Sequence, residues 1–103
     1  MDPVIFIYIT NPSMEEAKKM AKHLLKKKLI ACANIHQVSS LYPWDGKIVD
    51  EQEFVLVAKT SDSKYVQVSS EVKKMHSYTT PCIIKIPVFP NKEYHEWLKE
   101  QIE

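Results

Sequence analysis

A chain of 103 residues with 45% apolar side chains holds enough material for one small domain, burying roughly 65% of its unfolded surface, and has no room for a second. Fourteen basic against 13 acidic side chains leave a formal net charge of +1, which excludes the broad positive field that drives binding to nucleic acid or anionic lipid. The one glycine, Gly46, excludes phosphate loops and nucleophile elbows, each of which needs two or more.

Val4-Ile5-Phe6-Ile7-Tyr8-Ile9 is β-branched and aromatic without polar alternation, which predicts a central strand covered on both faces. It falls far short of the 18 or so apolar residues a membrane span requires. Past Asn11-Pro12, Ser13 and Glu16 form the S-x-x-E pattern of a capping box, so a helix starts there. Ala17, Met20, Ala21, Leu24 and Leu25 mark its buried side, while the lysines from Lys18 to Lys28 occupy the solvated faces and the last turn, where cations suit the helix dipole. From Leu29 to Trp44 the period becomes strand-like, and Asp45-Gly46 supplies a two-residue type I′ hairpin turn. Phe54 to Ala58 is the apolar part of the third strand, and the polar stretch Asp50 to Glu53 reads as a bulge or a projecting end. A hairpin this long reaches past a single core, so the aromatics near its tip, Tyr42 and Trp44 with Pro43, predict a partner subunit.

Thr60 to Ser63 offer N-caps for a second helix that turns Tyr65, Val68, Val72 and Met75 inward and ends at His76. Cys82 to Val88 is the fourth strand, placed at an edge or an end because Pro87 has no amide for a ladder. Asn91 caps a last helix with Tyr94, Trp97, Leu98 and Ile102 on one side. The order predicts an α+β, ferredoxin-like βαββαβ split sheet over residues 1–103, with helices on one face and an extra C-terminal helix. Two cysteines fifty residues apart, behind an N-terminus without a charged, cleavable leader, predict reduced thiols in the cytoplasm.

That topology hosts many functions, so function must come from sites. The third strand, "EFVLVAKT", lacks the glycines and paired aromatics on which an RNA-recognition motif stacks bases. Thr10-Asn11-Pro12 is no phosphate-cradling loop, and no nucleophile stands beside a base in sequence. A copper chaperone's CxxC pair is absent. A dispersed set remains, Cys32, His36, Met75, His76 and Cys82, whose donors suit soft metals but whose ordinary role is packing or capping.

Several segments together resemble the CutA family of divalent-cation tolerance proteins: "KKKLIACANI" at the second strand, "SSLYPWDGKI" at the hairpin, "VAKT" ending the third strand, "MHSY" before the last strand, and "EYHEWLKEQI" in the final helix. The resemblance covers nearly the whole chain in order. It implies a tight homotrimer similar to the nitrogen-regulatory PII trimers, non-enzymatic, with copper or another divalent cation as ligand and no ion needed for folding. Carried over by position, His76 and Cys32 are expected metal ligands, with Cys82, which stands where the family has an acidic residue, added as a third, and Tyr42, Trp44, Lys59 and Tyr78 are the expected lining of an intersubunit cleft. Ser77, Thr79 and Cys82 depart from the family pattern; the loss of acidic oxygens and gain of a thiol predict a preference for Cu(I) or Zn(II). Two alternatives stand beside this: a PII-like trimer that binds a small organic anion through Lys59, His76 and Tyr78, and a structural or anchoring trimer.

Overall fold

The computed structural model describes residues 2–103, in the order β1 (Val4–Asn11), α1 (Met14–Lys26), β2 (Cys32–Trp44), β3 (Lys47–Ser61), a 3-10 turn (Asp62–Lys64), α2 (Tyr65–Met75), β4 (Ile83–Pro87) and α3 (Lys92–Gln101). The strands form one antiparallel sheet ordered β2-β3-β1-β4, the ferredoxin-like arrangement the element order predicts. Side chains alternate across a strand, so Ile5, Ile7 and Ile9 share a face with their partners Thr60, Ala58 and Leu56. Met20, Ala21 and Leu24 of α1 and Val68 and Val72 of α2 close over that face as the main core.

One expectation about covering fails. β1 is central, but on its second face Phe6 and Tyr8 are only half-buried, and Ile84 and Ile86 beside them on β4 are exposed. The two helices of the split unit, α1 and α2, share one face as expected, and the extra helix α3 takes the other. Leu98 and Ile102 of α3 pack with Val4 and Ala31, and Val4 is an even step from Phe6, so α3 covers one end of the second face. Trp97, expected on the same inward side, stays well exposed.

Local sequence explains how α1 begins and ends. Ser13 is its N-cap, with Oγ accepting from the Glu16 amide at 3.1 Å. Only half of the capping box forms, because the Glu16 carboxylate is drawn away to accept from the Ser77 hydroxyl at 3.1 Å. At the other end the Leu29 amide donates to Leu24 O and the Lys28 amide to Leu25 O, both at 3.0 Å, with Lys28 at φ 56°. This is a Schellman cap with lysine where glycine is usual.

The β2–β3 ladder keeps one register from Cys32↔Lys59 to Trp44↔Lys47, so Asp50 to Glu53 is a projecting end and not a bulge. Asp45 and Gly46 at φ 53° and 76° make the predicted type I′ turn. β1 pairing stops at Asn11↔Phe54, and beyond it the hairpin continues as a two-stranded ribbon. The arm stretches the molecule to 46 × 24 × 20 Å with a radius of gyration of 14.3 Å, against about 13 Å for a compact chain of this size. β3 also runs on through Thr60 and Ser61, the residues expected to cap α2. Thr60 instead donates its buried hydroxyl to Leu29 O at 2.6 Å, and α2 follows a 3-10 turn with no side-chain cap.

Candidate functional site

Where the ribbon leaves the sheet, the turn between α2 and β4 folds back against it and leaves a cleft of about 810 Å³. Tyr42 pairs with Val49 and Ser40 with Glu51, so the pleat turns Tyr42, Glu51 and Glu53 to one face. Tyr78 and Cys82 come from the turn opposite, and Trp44 closes the distal end. The Tyr78 hydroxyl donates to Glu53 Oε2 at 2.8 Å, and the Tyr42 hydroxyl donates to Glu51 Oε1. Glu53 is only 6% exposed. Among the described residues neither carboxylate has a salt-bridge partner, and no lysine lines the cleft.

The carboxylates set the protonation of their neighbours. The hydrogen bond to Glu51 pushes the Tyr42 phenol up to about 12. Burial, then the hydrogen bond and charge of Glu53, raise the Tyr78 phenol. Burial and the Glu53 charge also push the Cys82 thiol up, against a hydrogen bond with Thr10 that pulls it down. All three groups therefore keep their protons at neutral pH, and the free acceptors of the cleft are carboxylate oxygens.

His76 holds this turn in place. As the C-cap of α2 its amide donates to Val72 O at 2.8 Å. Its Nε2–H donates to Thr10 O at 2.7 Å, and its Nδ1 accepts from the Tyr78 amide at 3.0 Å. The Tyr78 ring packs on the imidazole with centroids 4.7 Å apart. Both ring nitrogens are occupied, so within one subunit His76 has no lone pair for an ion. It acts on the cleft by fixing Tyr78.

Tyr42, Trp44 and Tyr78 of the expected lining are brought together, with Cys82, expected as a metal ligand, beside them, and Lys59 and Cys32 are not. Lys59 is six residues along β3 from Glu53, about 20 Å away, with its ammonium 5.7 Å from the Phe6 ring and 5.6 Å from that of Tyr94. Cys32 faces Lys59 across the ladder and lies beside the Tyr94 phenol, which burial and the cysteine push up. With β2 and β4 at opposite edges, Cys32 and Cys82 cannot share an ion within a chain. Among the described residues no three His, Cys, Asp or Glu side chains converge as a metal site, so a closed soft-metal site does not fit one subunit. Glu51 and Glu53 were missed as site residues by sequence reasoning. The alternation of Glu51 and Glu53 around Gln52 marks the two as sharing a face, and that signal was available.

Residues 5–101 match the family described as CutA1 divalent ion tolerance protein. The Divalent-cation tolerance protein CutA of Archaeoglobus fulgidus is 52% identical over 99 residues, 95% of this chain and 97% of that one. The protein of the same description from Thermus thermophilus is 40% identical over 91% of this chain and 93% of its own. Among solved structures, the periplasmic divalent cation tolerance protein CutA from Archaeoglobus fulgidus superposes with a TM-score of 0.95 at 50% identity, covering 97% of this chain and 99% of that one. CutA1 from Pyrococcus horikoshii gives 0.93 at 37% identity, covering 96% and 98%. No helix of the described residues is long and apolar enough to cross a membrane.

Proposed function

Because this chain belongs to the CutA1 divalent ion tolerance family, we propose that it is a non-enzymatic binding protein whose cleft takes a partly hydrated divalent cation on the oxygens of Glu53 and Glu51. The observation that carries this reading is Glu53, more than nine-tenths buried and without a cationic partner among the described residues. A buried carboxylate left in that state is costly, and a cation in the cleft offsets the cost. Hard ions that keep most of their water bind through one or two carboxylates, which is what one subunit offers. The oxygen lining favours them over the copper or zinc preference read from Cys82, whose thiol is raised and whose neighbour His76 is already engaged. The protonated phenols and thiol support a binding role over nucleophilic chemistry.

A homotrimer is the assembly we infer. Its support is the unpaired 13-residue edge of β2, the outward apolar face of Phe6, Tyr8, Ile84 and Ile86, and the arm's Leu41 and Ile48, which are 67% and 80% exposed. A copper site would need such a neighbour, bringing its Cys32 beside Cys82. The acidic lining gives the organic-anion alternative no support. Both cysteines are free, which favours a reducing compartment such as the cytoplasm.

Calorimetric titration of purified protein with Mg²⁺, Mn²⁺, Zn²⁺ and Cu²⁺ tests the reading. Mg²⁺ or Mn²⁺ affinity should fall at least tenfold in Glu53→Gln and stay within twofold in Cys82→Ser. Unchanged affinity in Glu53→Gln would remove Glu53 as the site.

A further inference from the structure

We propose that this cleft recognises a linear organic diamine or polyamine, with one ammonium group on Glu51, a second on Glu53, and the methylene chain between them against the aromatic walls. The proposal rests on the preceding reading only in taking the two glutamates as the binding groups; it differs in the ligand they were built for. Size is the first reason. An ion with six waters occupies roughly 180 Å³ at about 30 Å³ per water, whereas the cleft holds about 810 Å³, well inside the range of roughly 300 to 1,000 Å³ typical of small-molecule sites.

Spacing is the second reason. Glu51 and Glu53 are two residues apart on one strand face, so their Cα atoms are about 6.7 Å apart. Each is tied to its own phenol, Tyr42 for Glu51 and Tyr78 for Glu53, so each offers a separately anchored acceptor. One oxygen of each is committed to a phenol, and among the described residues Glu51 Oε2 and Glu53 Oε1 accept from no protein donor. Two separate charged acceptors on one strand face suit a chain with an ammonium group at each end, in which each nitrogen brings its own donors.

The lining is the third reason. Tyr42, Trp44 and Tyr78 place three aromatic side chains around the two carboxylates, with Pro43 alongside. Aromatic faces attract ammonium groups and cover methylenes, and they supply nothing to a hydrated metal ion. Trp44 is 62% exposed, so its indole face at the cleft's end is open to the methylenes of a ligand.

Titration of the intact protein with putrescine, spermidine, butylamine and Mg²⁺ tests the proposal, with light scattering to confirm that each variant keeps the wild-type assembly. Putrescine should bind at least tenfold tighter than butylamine, and Glu51→Gln and Glu53→Gln should each bring it down to the butylamine level. Trp44→Ala should weaken putrescine at least threefold; if it alters the assembly, Trp44→Leu serves, with the same loss expected. Putrescine binding no tighter than butylamine, or indifferent to both glutamate variants, overturns the proposal. Mg²⁺ binding without putrescine binding would sink the diamine and keep the metal reading, and the reverse result would keep the diamine and sink the metal.

Discussion

His76 shows how far a single side chain's role depends on its partners. Its residue type and place after a helix suit a metal ligand, yet both nitrogens are spent on Thr10 O and the Tyr78 amide. His76→Ala should lose about 2–4 kcal/mol of stability in chemical denaturation, since it opens a cavity and strands two partly buried backbone groups. Asn would restore less than half of that, because it cannot span both contacts. Glu71 is the counterpart between the helices. Its carboxylate accepts from His23 at 2.8 Å and binds Lys27 at 2.9 Å and Lys74 at 3.2 Å, with His23 first among the causes that hold it at about 2 against an ordinary 4.5. A carboxyl depressed in the folded state stabilises fully above its unfolded value and loses that contribution as pH falls from about 4.5 through about 2. Glu71→Gln should therefore show a shallower fall in melting temperature than wild type across that window, while melting below wild type at pH 7.

At the scale of elements, the turns and caps carry the local code. Gly46 at φ 76° has nothing within 4 Å of an added Cβ, so Gly46→Ala isolates backbone strain and should cost about 1 kcal/mol. Lys28 sits in the same left-handed region at φ 56°. Lys28→Gly relieves that strain but frees the unfolded chain by about 0.4–1 kcal/mol, so its melting temperature should stay level or rise by a few degrees. Element order, the type I′ turn and the α1 cap were legible because each is written within four residues. Glu16 was half legible. Its spacing from Ser13 announces the cap, but the pull of Ser77, sixty-one residues on, has no local trace.

The whole molecule is shaped by its arm. A two-stranded ribbon is marginal on its own in water, and this one carries Leu41 and Ile48 exposed near its tip. Ile48→Asp should leave a lone subunit's fold unchanged, since nothing covers the residue, but should drop the light-scattering mass from three times 12.0 kDa toward one. An unchanged mass would detach the arm from assembly. From sequence alone came the strand and helix order, the hairpin turn, the helix-facing core and four of the cleft's residues, because periodicity and capping act over a few neighbours. Tertiary structure alone decided that β1 is covered on one face, that Lys59 and Cys32 stand far from the cleft, and that Glu53 meets Tyr78 across 25 residues. Those outcomes depend on ribbon register and on where the chain returns, and a one-residue slip of register would turn both glutamates to the opposite face.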